Sequence, residues 1–187
     1  MSVFLFALVA VILTSLGGRD QVLAAHLSAQ QGARVGVLVT GSMIAIITAA
    51  VAALSGQYIA GVMPGAGKMM LVAFALLAAS IELAWPVDVK QPSEPTHSLG
   101  ALAIVMLARQ IGDGSRFLIF ALAVFGAAPG YAAAGGALGG ILVIGAGWAM
   151  ADDLQAIFPL KLMRRILAAI ILLVGLYVGL SARGIIS

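Results

Sequence analysis

Six apolar runs, each about as long as a helix needs to cross the hydrocarbon core of a bilayer, fill most of this chain and leave it few ways to fold. They lie at about residues 3–27, 35–59, 67–85, 98–125, 130–151 and 162–182. Of 187 residues, 63% are hydrophobic and 9% charged, with a mean hydropathy of +1.15. A soluble domain of that size would lack the polar surface to cover itself. The runs are continuous, not alternating tenmers, which points to helices and away from a barrel. The expected fold class is all-α: a polytopic membrane protein with six transmembrane helices.

Each boundary carries its own cue. Gln30-Gln31-Gly32 ends the first run, and Pro64-Gly65-Ala66-Gly67 separates the second from the third. Trp85-Pro86 closes the third, with Trp85 suited to a membrane interface. Ala127-Ala128-Pro129-Gly130 makes a tight turn, and Asp152-Asp153 and Lys161 to Arg165 bracket the fifth connection. Pro86 to His97 holds three prolines with Asp88, Lys90, Glu94 and His97, and reads as a solvated loop. It divides the chain into 1–85, the loop 86–97, and 98–187.

The net charge of +3 and pI near 9.7 do not indicate a nucleic-acid partner, because the ten Lys and Arg are scattered and suit cytoplasmic loops. Cysteine is absent, which excludes disulfides and thiolate metal sites. The first run has no basic n-region, so it reads as a retained helix and not a signal peptide. Arg34, Lys90, Lys161, Arg164 and Arg165 fall in connections one, three and five, whereas Lys68 and Arg183 fall on the other side. This asymmetry predicts a cell inner-membrane protein with its central loop in the cytoplasm and both termini outside.

Two of the runs are interrupted by short polar, glycine-containing clusters. The first is Thr14-Ser15-Leu16-Gly17-Gly18-Arg19-Asp20-Gln21 and the second Arg109-Gln110-Ile111-Gly112-Asp113-Gly114-Ser115-Arg116. Glycine weakens a helix by about 1 kcal/mol, so Gly17, Gly18, Gly112 and Gly114 are expected to bend or unwind their helices. Charges at membrane depth are costly and face a bundle interior or an aqueous path. Gly17 and Gly112 differ by 95 positions, as do Gly41 and Gly136, and Pro64 and Pro159. Residue identity at this offset is poor, so the sign of duplication is the punctuation. Three helices per half make the second half enter the membrane from the opposite side, as an inverted repeat. Such folds bind substrate near the midplane, between equivalent interrupted helices.

On a continuous helix Arg109 and Asp113 at i and i+4, and Asp113 and Arg116 at i and i+3, would share one face. Asp113 then either neutralises its arginines or carries a proton or cation, and the duplication favours the second role. Glu82 reads as an interfacial carboxylate and Asp152-Asp153 as a solvated helix end. His26 and His97 are isolated. The glycines at 135, 136, 139, 140, 145 and 147 read as close helix packing, not a nucleotide loop. No Ser/His/Asp set is visible, so no enzymatic activity is expected.

This pattern resembles the calcium/manganese–proton antiporters of Gdt-one type, which are built from two three-helix inverted repeats, each with E-x-G-D-[KR]-[ST] on its first helix. The first copy here reads Ser15-Leu16-Gly17-Gly18-Arg19-Asp20 and the second Gln110-Ile111-Gly112-Asp113-Gly114-Ser115. The motif glutamate is replaced by Ser15 and Gln110, and the aspartate by Gly18 in one copy, whereas Asp113, Arg19 and Ser115 keep their types. Asp20 stands where a hydroxyl is expected. The resemblance implies proton-coupled export of Mn²⁺ or Ca²⁺ by alternating access, with Asp113 exchanging a proton for the ion and Asp20, Ser15, Gln110 and Ser115 as further oxygen ligands. Arg19, Arg109 and Arg116 make the local charge sum +1, and a site of that sign repels a divalent cation unless the arginines point away.

The expectation is therefore a transporter with no resident cofactor. Its partners are the lipid bilayer and a small ion or small-molecule substrate, with a homodimer left open. An amino-acid or small-anion exporter on the same fold, and a transport-inactive structural or regulatory subunit, are the alternatives. Replacing Asp113 by Asn is expected to abolish flux in proteoliposomes.

Overall fold

The computed structural model describes residues 1–85, 98–151 and 160–186. The central loop 86–97, Asp152 and Asp153 lie outside them. The described residues form eight helices and no strand: α1 (Ser2–Ser15), α2 (Arg19–Gln31), α3 (Val35–Gly61), α4 (Gly65–Ala84), α5 (Leu99–Ile111), α6 (Gly114–Gly126), α7 (Pro129–Met150) and α8 (Leu160–Ala182).

Local chemistry sets the ends. Gly32 closes α2 in the left-handed conformation (φ 73°) that an L side chain resists. Pro64 precedes α4, and Pro129 opens α7 at a position where its missing N–H costs nothing. Both interrupted runs stop at their clusters. α1 ends at Ser15, Gly17 turns left-handed (φ 70°), and α2 restarts at Arg19, so the pair bends by 62°. α5 ends at Ile111, and Asp113 precedes α6. The one-face placement of Arg109, Asp113 and Arg116 therefore does not hold. The helix lapses at Gly112, and neither arginine comes within ion-pair distance of Asp113.

Helices α3, α4, α7 and α8 are each long and apolar enough to cross a membrane, and α1 with α2 would make a broken fifth span. α5 and α6 are 13 residues each. Their contacts fix how they run. A Cβ on Gly36 would stand 3.1 Å from Leu99, and one on Gly41 would stand 3.2 Å from Met106. Further along, Arg116 meets Thr48, and a Cβ on Gly56 would stand 2.9 Å from the Phe120 carbonyl. α5 thus lies along the first half of α3 and α6 along the second, in the same direction. α1 and α2 follow α7 likewise: Gly135 abuts Phe4, Gly139 abuts Leu8 and Val11, and Gly147 abuts Gln21. α3 and α7 are antiparallel, pairing Gly41 with Ile144, Ala45 with Gly140 and Ala49 with Gly136.

Small residues recur through the core beside larger ones such as Leu83, Met106 and Ile119. Ala45, Ala49, Ala53 and Ala132 are fully buried, and glycines on α7 let backbones nearly touch. Phe6, Val51, Phe74, Ile104 and Leu173 are all more than half exposed. Large apolar side chains spread over the outer surface suit a molecule surrounded by lipid.

Because an added Cβ on Gly135 would collide with the Phe4 carbonyl, Gly135→Ala should lower stability in detergent by about 1–3 kcal/mol. Gly130→Ala, within α7 and with nothing near its Cβ position, should raise the thermal stability of the solubilised protein slightly, by up to about 1 kcal/mol.

Candidate functional site at the meeting of the two helix breaks

The two breaks come together. One narrow cleft of about 20 Å³ is lined by Ser15, Gly18, Arg19, Asp20 and Gln21 from the first break. Arg109, Gln110, Asp113 and Arg116 line it from the second, and Gly140, Val143 and Ile144 of α7 from the side. Thr48, which holds Arg116, stands thirteen residues from each end of α3. At about 1.5 Å rise per residue it is roughly 20 Å from either end. Gly140 is close to the middle of α7. The cleft is therefore at half depth in the helical bundle.

Each break is held by one long side chain. On the first side the Gly17 N–H donates to Gln21 Oε1 at 2.7 Å, while Gln21 Nε2 donates to the Val143 carbonyl at 3.2 Å. Gln21 is only 1% exposed, so it replaces the water that a broken helix would otherwise need. On the second side the Gly114 N–H donates to Glu82 Oε2 at 3.1 Å, and Arg116 ties together the side chains around the break. Its Nε donates to Thr48 Oγ1 at 2.8 Å, its Nη2 to Gln110 Oε1 at 2.7 Å and its Nη1 to Ser115 Oγ at 3.3 Å. The Thr48 hydroxyl lies 2.7 Å from Gln110 Oε1 and 2.8 Å from the Ile44 carbonyl, either of which takes its single proton. Ser115 donates to Asp113 and is wholly buried.

The site residues expected from sequence divide into three groups. Ser15, Asp20, Arg109, Gln110, Asp113 and Arg116 face the cleft. Ser115 stands behind it, orienting Asp113 and Arg116. Arg19 borders the cleft but gives its guanidinium to Glu82 at 3.1 Å. Of the glycines, Gly17 and Gly18 form the first break and Gly112 the second, while Gly114 is already the first residue of α6. Among the described residues no three His, Cys, Asp or Glu side chains gather as a metal cluster.

Glu82 and Arg164 carry more than their sequence positions suggested. Glu82, read as interfacial, is only 9% exposed at its side chain and ties three helix starts to α4. It receives Arg19 Nη2 from α2 at 3.1 Å, Arg164 Nη2 from α8 at 3.4 Å and the Gly114 N–H of α6 at 3.1 Å. Arg164, counted as a loop cation, lies on α8 and is 4% exposed; its Nη1 also donates to the Thr14 carbonyl at the end of α1. Leu160 to Ala182 is one helix, so Arg164 sits about one turn inside it and turns towards the bundle. The only signal of this in the sequence is the one carboxylate within an otherwise apolar third run.

Breaking a buried ion pair leaves an uncompensated charge, which costs about 3–5 kcal/mol. Glu82→Gln and Arg164→Gln are each expected to destabilise the protein on that scale, and the double variant by much less than the two together, as read from denaturation in detergent.

No family model matches the chain, and neither the curated proteins nor the solved structures contain a match to it.

Proposed function

We propose that the chain is a six-crossing transporter made of two inverted three-helix repeats, 1–85 and 98–187, whose cargo site is the cleft at the two helix breaks. The observation that carries this reading is the convergence of both breaks on one cleft at half depth, approached from opposite directions. A broken helix frees polar backbone and side-chain groups where lipid offers no partner, and such places are tolerated where they line a cavity. Interrupted helices facing each other across an inverted repeat are where secondary transporters hold their cargo.

Contacts related by the 95-residue offset support the duplication. Moving one member of the Gly41–Ile144 contact forward by 95 and the other back by 95 gives Gly136–Ala49, which is also in contact. Gly140–Ala45 maps onto itself, as a pair on a two-fold axis does. Arg116–Thr48 maps onto Gln21–Val143, and both pairs are hydrogen-bonded. The course of α5 and α6 along the whole of α3 supports a sixth crossing. The reading carries with it an inner-membrane location, a central cytoplasmic loop and movement of a small solute by alternating access, with Asp113 as the proton-carrying carboxylate. Mn²⁺ or Ca²⁺ is the cargo implied by the motif resemblance; Asp20 and Asp113 are the carboxylates on hand to hold it.

The absence of cysteine makes topology directly testable, because any introduced thiol is the only one in the chain. Ser98→Cys should react with an impermeant maleimide from the cytoplasmic face, and Ala128→Cys and Gly184→Cys from the outer face. Labelling of Ser98→Cys and Ala128→Cys from the same side would make α5 and α6 a re-entrant loop and end the inverted-repeat reading.

A further inference from the structure

Arg116 borders two spaces: the narrow cleft at the breaks and a much larger groove of about 440 Å³. The groove is bounded by α3, α4, α5 and α6. α5 packs on α3 and α4 on α6, while α4 and α5 barely meet, and the groove is the gap this leaves. Its α3 wall runs from Ile47 to Ser55 and its α4 wall from Leu71 to Ala78, the middle stretch of each helix. It therefore lies at half depth. Ile47, Val51, Phe74 and Ile111 line it and are all largely exposed, so it opens onto the apolar outer surface.

The lining decides what fills it. Of the lining residues only Thr48, Ser55 and Arg116 have polar side chains. Thr48 and Arg116 are spent on each other and on Gln110 and Ser115. Water finds too few partners to occupy a cavity of this kind. An empty groove would forfeit dispersion contacts along its whole lining. At half depth in a bilayer the headgroups are about 15 Å away and only hydrocarbon tails reach. With its single cation committed inside the protein, the lining also offers a headgroup no partner.

We propose that the groove holds one acyl chain of a bilayer phospholipid, laid between α4 and α5 against Phe117 and Phe120. This requires only that the helices stand in a bilayer, and not that the protein moves a cargo. The seated tail covers the side of Thr48 and Arg116 that faces the groove, which keeps their hydrogen bond dry and strong.

The test is native mass spectrometry and thermal unfolding of the purified full-length protein in detergent, with palmitoyl-oleoyl phosphatidylglycerol as the added lipid. The wild type should keep one phospholipid per protein through detergent washing. Stripping that lipid should lower its melting temperature by about 5 °C, and adding the lipid back should restore it. Ala78→Phe and Ala52→Leu each put apolar bulk into the groove. Either should retain no lipid and melt at the same temperature with or without it. Leu142→Phe, on the exposed face of α7, should behave as the wild type, which separates one seated tail from the lipid that coats any membrane protein. Retention unchanged in both groove variants, or lost equally in Leu142→Phe, overturns the proposal. So does a wild type that keeps no lipid and gains no stability from it, or one whose retained mass is not that of a phospholipid.

Discussion

A helix that stops inside a bilayer must find partners for its own backbone, because no solvent is there to supply them. Everything about the centre of this molecule follows from meeting that requirement twice. Gln21 closes the first break by accepting from Gly17 and donating across to α7. Glu82 closes the second by accepting from the Gly114 N–H, while Arg116 ties Gln110 and Ser115 beside it to Thr48 on α3. Both tethers run to the middle of a long unbroken helix, so α3 and α7 act as a rigid frame to which the broken pairs are pinned. The small residues along that frame are the means by which polar side chains of modest length can span the gap.

Much of this was legible in the chain. The long apolar runs and their glycine and proline punctuation specify the helices and their ends, because Gly32, Pro64 and Pro129 each have one physical use at those places. The breaks were legible as well, since glycine beside polar residues weakens a helix at the very point where lipid cannot solvate it. Which side chains do the tethering was not. Gln21 and Gln110 look alike as uncharged residues, yet one bridges two backbones and the other holds an arginine and a threonine. Helical spacing pointed to a paired Asp113, but that spacing presumes the continuity which Gly112 removes.

Glu82 and Arg164 show the same limit over a greater distance. They are 82 residues apart and nothing local links them. Each reads as a membrane-edge charge by position. They meet because α4 and α8 pack side by side, and the starts of α2 and α6 arrive at the same carboxylate. A carboxylate shared among elements from both halves of the chain couples their positions more tightly than apolar packing alone, since its partners cannot be dropped one at a time without stranding a charge.

The pair of tethers is equivalent in place but not in kind: an amide stands in one half where a guanidinium stands in the other. Two geometrically interchangeable halves with identical chemistry would give a carrier whose inward-open and outward-open forms have equal energy. Placing a fixed cation in only one of them removes that degeneracy. On the transporter reading proposed above, this difference, with the other positions at which the two halves differ, would bias which compartment the molecule faces at rest.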